Sequence, residues 1–225
     1  MTRQLRAEQT RATIIEAAAD LFDRQGYGAA SLSDIAGRGG VTKGALYFHF
    51  ASKEELALAV IERQDELSRK ANEELLAMNL PGFETVVRMT FGLAARVLSD
   101  PVTRAGVRLP LERVVPGATA RDTYGGWVEV AGEQLERAVA ELEVRPTVDP
   151  RACAAFILTT LAGMQLVCQA SLLGKTLPQL LAEMWDVIIP GLLPPRRTPY
   201  YLQLVRTLAA EVEVGMEADA DMAHR

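Results

Sequence analysis

Apolar residues recur at helical spacing along almost the whole chain. Between Glu8 and Arg24 they return every three or four positions, with charged residues in between, which is the period of one face of an α-helix. No stretch of five residues between turn residues alternates between apolar and polar side chains, so the sequence carries no strand signal. The pattern predicts an all-α protein of about nine to ten helices.

The N-terminal part contains signals for four helices. The residues that end or cap them are, in chain order, Gly26, Ser31, Gly39-Gly40, Thr42 and Ser52. Glycine and hydroxyl side chains are the residue types that helix termini favour. The second helix is stopped within two turns, and the third is predicted over about Lys43–Phe50. Two short helices joined by a glycine-bearing turn therefore follow the first, longer helix.

Six further helices are predicted beyond Pro81-Gly82, each separated from the next by proline or glycine. They span Phe83–Leu98, Pro101–Leu111, Asp122–Leu142, Pro150–Leu172, Leu177–Pro190 and Pro199–Val214. The polar residues 215–225 are predicted to form a flexible tail. The architecture expected is a three-helix head, joined by the fourth helix to a larger helical body.

The head carries the pattern of a helix-turn-helix, in which the second of two short helices lies in the major groove of DNA. The pattern spans residues 31–53, SLSDIAGRGGVTKGALYFHFASK. Four apolar residues can form the small core that fixes the two helices at an angle: Ile35, Val41, Leu46 and Phe50. A helical hairpin inside an ordinary bundle is the alternative. An eight-residue helix with Lys, Tyr and His beside Gly and Ala is a poor core element, which favours the DNA-binding interpretation.

The remaining side chains of this segment suit contacts with a duplex. Gly44 and Ala45 leave little bulk in the first turn, so the backbone can approach DNA closely. Lys43 can reach a guanine edge or a phosphate, and hydroxyl, imidazole and ammonium groups suit phosphate oxygens. The candidate DNA-binding residues are Ser31, Thr42, Lys43, Gly44, Ala45, Tyr47, Phe48, His49 and Lys53.

The charge distribution agrees with this assignment, although the whole chain has a formal net charge of -5. Residues 1–53 hold seven Lys/Arg and five Asp/Glu, whereas the other 172 residues hold 17 and 24. The head is thus the one part of the chain whose field tolerates a phosphate backbone. The asymmetry amounts to only a few charges.

Other classes of protein find little support in the sequence. No apolar run reaches the roughly 18 residues that span a bilayer, and the charged N-terminus does not resemble a signal peptide, so we expect a cytoplasmic protein without membrane contact. Cys153 and Cys168 fall in one predicted helix, about 22 Å apart, which excludes a disulfide between them. With only His49 and His224, we predict neither a metal site nor a cofactor, and no catalytic constellation is apparent.

The body is expected to dimerise and to bind a small molecule. The predicted helices at 150–172 and 177–190 are apolar on more than one face, and pairing with a second copy would bury both; a thick monomeric core is the alternative. Polar groups on apolar helices and the glycines beside Trp127 indicate a ligand pocket. Its candidate residues are Trp127, Gln64, Thr160, Thr159, Met89, Phe91 and Gln165. For the polar residues other than Trp127, core packing or hydrogen bonding to the helix backbone is the simpler explanation.

The head resembles that of the tetracycline-repressor (TetR) family over about Arg6 to Ile61. The strings that carry the resemblance are TRATIIEAAADLFDRQGY and VTKGALYFHFASKEEL. Gly39 departs from the family, which usually has alanine there. The resemblance implies a homodimer that binds a near-palindromic operator and, usually, repression relieved by a ligand in the body. The domains expected are then a DNA-binding domain at 1–53, a ligand-binding and dimerisation domain at 54–214, and the tail.

A narrower resemblance concerns the γ-butyrolactone autoregulator receptors of filamentous actinobacteria. It rests on the starting string RQLRAEQTRATII and on DPVTRAGVRLPLER, which Trp127 follows. The resemblance implies that Trp127 packs on the lactone and hydrogen-bonds it, and that the protein represses antibiotic-biosynthesis genes until the hormone appears. A pseudo-receptor or an efflux-type regulator that answers to an antibiotic remains an alternative, as does a helical adaptor without DNA function. An enzyme is not expected.

Overall fold

The computed structural model describes residues 3–112 and 120–223, and these contain ten α-helices and no strand. The helices are α1 (Arg3–Ala29), α2 (Leu32–Arg38), α3 (Lys43–His49), α4 (Lys53–Ala77), α5 (Gly82–Ser99), α6 (Pro101–Glu112), α7 (Ala120–Ala140), α8 (Pro150–Gln169), α9 (Leu177–Leu192) and α10 (Thr198–Ala223). The predicted all-α fold class is confirmed.

Most helix ends lie within three residues of their predicted positions, and the exceptions concern the first and last helices. Within α1 the helical geometry breaks at Gly26, whose φ is 80°, the predicted end of that helix. The end predicted for the last helix at Val214 is wrong, because α10 continues to Ala223. The residues beyond Val214 include Met, Glu and Ala, which favour helix, and no proline stops them.

The chain divides into two compact units. The first, called the head unit here, consists of Met1–Lys70 and Asp100–Thr123, and the second, the body unit, of Ala71–Ser99 and Tyr124–Arg225. The head unit therefore contains α6 in addition to the helices that the sequence assigns to the DNA-binding domain. Helix α4 begins in the head unit and ends in the body unit.

Helices α1, α2 and α3 pack around a small apolar core. Phe22, Ile35 and Leu46 are fully buried and Phe50 is 1% exposed, while Val41 packs against this cluster and is partly buried. Asp20 links α1 to the end of α2, since its carboxylate accepts hydrogen bonds from Arg24 and from Arg38 at 2.8 Å. The four residues predicted to hold the two short helices together thus do so, with Val41 at the edge.

Helix α6 is fastened to α1 and lies close to α4. Arg104 forms a 2.8 Å ion pair with Asp23, and Arg108 donates to the backbone carbonyls of Asp23 and Phe22. These carbonyls lie in the last turns of α1 before its break, where helix carbonyls lack partners. At Gly106 the backbone of α6 comes so near to α4 that a Cβ atom there would lie 2.3 Å from Cβ of Gln64.

Lys53, the first residue of α4, closes the end of α1. Its ammonium group donates to the carbonyls of Tyr27 at 2.9 Å, Ala30 at 3.0 Å and Gly28 at 3.3 Å. The same nitrogen lies 4.5 Å from the centre of the Tyr27 ring, within the range of a cation–π interaction. All three donors of the ammonium therefore point to carbonyls of this one segment.

The body unit is centred on three aromatic side chains from α5, α9 and α10. Trp185 and Tyr201 lie edge-on to Phe83, with ring centroids 5.6 and 4.9 Å away. The indole of Trp185 donates to the Thr90 hydroxyl at 3.1 Å, so its buried N–H has a partner. In the loop after α7, the buried Glu143 accepts the backbone N–H of Phe83 at 3.1 Å and so caps α5.

The contacts of Lys53 predict a stabilising role. We expect Lys53→Met, which keeps the aliphatic chain but leaves three carbonyls without their donor, to lower the free energy of unfolding by about 1–2 kcal/mol. Urea-induced unfolding at matched protein concentration measures this change. Lys43→Met, at an exposed position of α3, serves as the matched control and should change stability by less than about 0.5 kcal/mol. An unchanged unfolding curve for Lys53→Met would contradict the capping role.

Candidate functional site

The turn that joins α2 and α3 is shaped by two helix caps, a glycine and a backbone hydrogen bond. Ser31 caps α2 by accepting the N–H of Asp34 at 3.1 Å, and Thr42 caps α3 by accepting the N–H of Ala45 at 3.1 Å. Between them Gly40 has a φ of 63°, which side chains with a Cβ rarely adopt. The N–H of Val41 then returns to the carbonyl of Ala36 at 3.0 Å. The turn is therefore fixed by hydrogen bonds at both ends.

Helix α3 buries one side and exposes the other. Leu46 is fully buried, whereas Tyr47 is 57% and Phe48 78% exposed. Lys43 and Gly44 in the first turn are exposed as well. We call the four exposed residues Lys43, Gly44, Tyr47 and Phe48 the α3 face. It combines a cation, a phenol and an apolar ring with one position that has no side chain.

The other candidate DNA-binding residues, apart from Lys53, divide into two groups. Ser31 and Thr42 are exposed, but their hydroxyl oxygens serve as helix caps. The hydroxyl of Ser31 also donates to the Asp34 carboxylate at 2.6 Å. Ala45 and His49 are only partly exposed, and the His49 ring meets Phe48 edge-on at 5.1 Å.

The structure corrects one candidate. Lys53, predicted to bind phosphate, uses its three donors on the carbonyls of Tyr27, Gly28 and Ala30. The sequence suggested a DNA contact because a lysine stood next to the helix-turn-helix. Lys53 binds carbonyls about 25 positions earlier in the chain. The fold creates this contact, and the sequence around Lys53 does not signal it.

The candidate ligand residues fall in both units. Gln64 belongs to the head unit and is 4% exposed. Its Nε2 donates to Ser68 at 2.8 Å, while its Oε1 is buried and has no partner within the described part of the chain. Met89 and Phe91 lie in the body unit and are 3% and 2% exposed, as core residues would be.

Trp127 lies on α7 beside two glycines and is partly buried. A Cβ atom placed on Gly125 or Gly126 would meet no other group within 4 Å. Both glycine positions therefore have room for a further group, with Gly125 partly buried and Gly126 exposed. The binding of a ligand at Trp127 remains a prediction.

Two of the polar candidates on α8 bond to their own helix. Thr159 donates to the carbonyls of Ala155 and Phe156 at 2.9 and 3.0 Å, and Thr160 donates to that of Phe156 at 2.8 Å. Hydrogen bonding to the helix backbone is the simpler explanation that the sequence offered for Thr159 and Thr160. Gln165 differs, because its Nε2 is buried without a partner among the residues that the structure describes.

Sequence reasoning missed two features of the body unit. Gln134 on α7 also has a buried side-chain atom, Oε1, without a partner in the described ranges. In addition, α8 exposes one stripe of residues: Ala152, Phe156, Thr159, Gly163, Leu166 and Ala170. Their alternating spacing of four and three is the 3.5-residue repeat of packed helices, a signal that could have been found in the sequence. It places Thr159 on an outer face and not toward a pocket of its own chain.

The cysteines are both free thiols. Burial raises the pKa of the Cys153 thiol to about 11, so this group stays protonated and behaves as a packing residue. Within residues 3–112 and 120–223 no three His, Cys, Asp or Glu side chains are grouped so that they could hold a metal. In the same ranges α8 is long and apolar enough to cross a membrane by length and composition only, and a single helix of this kind is weak evidence for a span.

Comparison with known proteins identifies both parts of the chain. Residues 14–60 match the family described as bacterial regulatory proteins, tetR family, and residues 80–194 match the tetracyclin repressor-like C-terminal domain. The chain is 37% identical to the A-factor receptor protein of Streptomyces griseus over 195 residues, which cover 87% of this chain and 68% of that protein.

Solved structures of related proteins match this chain over nearly their full length. A crystal structure of a gamma-butyrolactone receptor (ArpA-like protein) is 41% identical and covers 92% of this chain and 99% of its own, with a TM-score of 0.80. CprB from Streptomyces coelicolor, solved in complex with its operator, is 42% identical with the same coverage and a TM-score of 0.78. The chain therefore belongs to the TetR family of bacterial regulatory proteins.

Proposed function

We propose that this protein is a ligand-responsive transcriptional repressor, which binds a near-palindromic operator as a homodimer and leaves it when a γ-butyrolactone-type signal binds. The observation that carries the proposal is the exposed α3 face on a helix-turn-helix with capped, fixed helices. The relatives named as an A-factor receptor and a gamma-butyrolactone receptor support the class of ligand. Control of antibiotic biosynthesis, a cytoplasmic location and the lack of enzymatic activity follow as parts of the same proposal.

The α3 face has the composition of a major-groove reader. Lys43 supplies a cation for a guanine edge or a phosphate, and the Tyr47 hydroxyl supplies a donor for a phosphate oxygen. Gly44 has no side chain, which lets the helix backbone approach the bases. A Cβ atom at this position would lie near no other group than the Thr42 hydroxyl, at 3.9 Å. We assign DNA binding to these residues, with Thr42 and His49 at the edge of the contact.

The exposed stripe of α8 supports the dimer. Phe156 and Leu166 are each 51% exposed in the single chain, and on α9 Val187 is 77% exposed. A second copy related by a two-fold axis would cover these residues with the same residues of its own. Two heads are also what a palindromic operator requires, since each short recognition helix reads one half-site.

Buried amide atoms without partners support a ligand with polar groups. Gln165 Nε2 is a donor and Gln134 Oε1 an acceptor, both in the body unit. Burying such atoms unpaired costs about 1–3 kcal/mol each, and a lactone with a hydroxyl group carries the complementary acceptors and donor. Trp127 supplies an apolar, aromatic surface for the ring.

Release from DNA requires the ligand to bind one conformation better than another. The favoured state is one in which the two α3 helices no longer match successive major grooves, about 34 Å apart. A 100-fold loss of DNA affinity needs about 2.7 kcal/mol of coupling between the two sites. Since this coupling is reciprocal, operator DNA must weaken ligand binding by the same factor.

The lack of a side chain at Gly44 predicts a close approach of α3 to DNA. We expect Gly44→Ala to leave stability unchanged or to raise it by about 0.5–1 kcal/mol, since alanine favours helix and the position has open space. Operator affinity should nevertheless fall at least about tenfold, or ~1.4 kcal/mol, because the new methyl group stands between the helix and the duplex. Fluorescence anisotropy with a duplex selected by the wild-type protein measures this.

Gly215→Ala is the matched control for this experiment. It also replaces a helical glycine with open space around it, but it lies on α10 of the body unit. It should stabilise the protein similarly and leave DNA affinity unchanged. If Gly44→Ala bound the duplex as tightly as the wild type, α3 would not approach DNA in the proposed way.

A separate prediction concerns ligand binding at Trp127. We expect Trp127→Ala to raise the concentration of a synthetic γ-butyrolactone that releases half of the DNA by about 30-fold, since truncation of an aromatic anchor costs about 2 kcal/mol. DNA affinity without ligand should not change. Trp127→Phe keeps a ring but loses the N–H, so it should show a smaller shift. The assignment of this pocket fails if both variants release DNA at the wild-type concentration.

A further inference from the structure

Phe48 is the most exposed large apolar side chain among the residues whose burial the structure describes. Its 78% exposure exceeds that of Val187 at 77%, and its ring makes an edge contact with His49 at 5.1 Å. Unlike Val187, which lies on α9 of the body unit, it belongs to the head unit. It lies on the α3 face, between polar groups that we assign to DNA.

The surroundings of Phe48 leave room for a base edge. Gly44 lies one helical turn earlier, and a Cβ atom there would touch only the Thr42 hydroxyl, at 3.9 Å. Residues four apart lie on the same side of a helix. The ring is therefore flanked by a position without a side chain, while Lys43 and Tyr47 stand beside it.

The chemistry of the major groove then selects a partner for the ring. A phenyl ring neither donates nor accepts conventional hydrogen bonds, so it cannot read the donors and acceptors of guanine, cytosine or adenine. The apolar feature that the major groove offers is the C5-methyl group of thymine. We propose that Phe48 is a specificity-determining residue that reads a thymine methyl group in each operator half-site. This inference rests on the proposed DNA-binding function.

The neighbouring groups give this contact its register. Lys43 and Tyr47 bind phosphates or a guanine edge and so hold α3 at a fixed depth in the groove. Phe48 would then discriminate thymine from cytosine, which has no methyl group, without adding affinity for other sequences. The expected operator thus carries a required thymine at one position of each half-site.

The test removes the methyl group and the ring separately. Duplexes that bind the full-length wild-type protein are selected from random DNA, and each thymine of the consensus is replaced in turn by uracil, which differs from thymine only in the C5-methyl group. At one thymine per half-site we expect about a fourfold loss of affinity, which corresponds to about 0.8 kcal/mol for one methyl group. Replacing both symmetric thymines should cost about 15-fold.

The variants identify Phe48 as the reader. Phe48→Ala should bind the thymine operator at least fourfold per half-site more weakly than the wild type does, and it should bind the thymine and uracil operators equally. Phe48→Leu, which keeps an apolar side chain, should recover part of the preference for thymine. Met78→Ala removes a side chain that is 61% exposed outside the DNA-binding helices and should keep the wild-type preference.

Each other outcome has a separate meaning. If Phe48→Ala weakens both operators but keeps the full loss on methyl removal, another residue reads the methyl group and the inference is overturned. It is also overturned if no uracil substitution affects the wild type, although DNA binding itself then stands. If the wild type selects no duplex at all, the proposed function fails and this inference fails with it.

Discussion

The burial of Leu46 and Phe50 under α1 and α2 is the interaction on which the function of this protein depends. Helix α3 has seven residues, and helices shorter than about 12 residues are marginal in water. It holds its shape because Leu46 is fully buried and Phe50 is 1% exposed, with Thr42 capping the first turn. The same burial forces Lys43, Tyr47 and Phe48 to the outside. One packing arrangement therefore both forms the helix and presents its face.

Contacts among α1, α4 and α6 hold this arrangement in place. Lys53 ties the start of α4 to the end of α1, and Arg104 and Arg108 tie α6 to the same end of α1. Because the close contact at Gly106 joins α6 to α4, the three helices brace one another. A displacement of α4 or α6 would therefore be transmitted to α1, against which the DNA-reading helices pack.

The fold was largely predictable because its signals are local. Capping hydroxyls at Thr42 and Ser52 and the glycines at positions 39 and 40 mark helix ends in the sequence itself, and the structure places the ends there. The end of α10 was not marked in this way, since no proline follows Val214, and the Met, Glu and Ala residues there favour helix although the polar composition suggested a tail. The partner of Lys53 was also hidden, because its three carbonyls come from a segment that only the tertiary fold brings near. For the ligand site, polar groups on apolar helices indicated a pocket, but the alternating spacing of four and three that puts Thr159 on the outer stripe of α8 was also present in the sequence.

The most direct test of the account is to measure whether one small molecule controls DNA binding. Purified protein is titrated onto a duplex from the promoter region upstream of its own gene, and a synthetic γ-butyrolactone is then added to the complex. The account predicts that the protein binds as a dimer at low salt, that affinity falls steeply as salt rises, and that the lactone releases the DNA. A duplex that stays bound at saturating lactone would contradict the proposed ligand class. No binding to this duplex or to any duplex selected from random DNA would contradict the account as a whole.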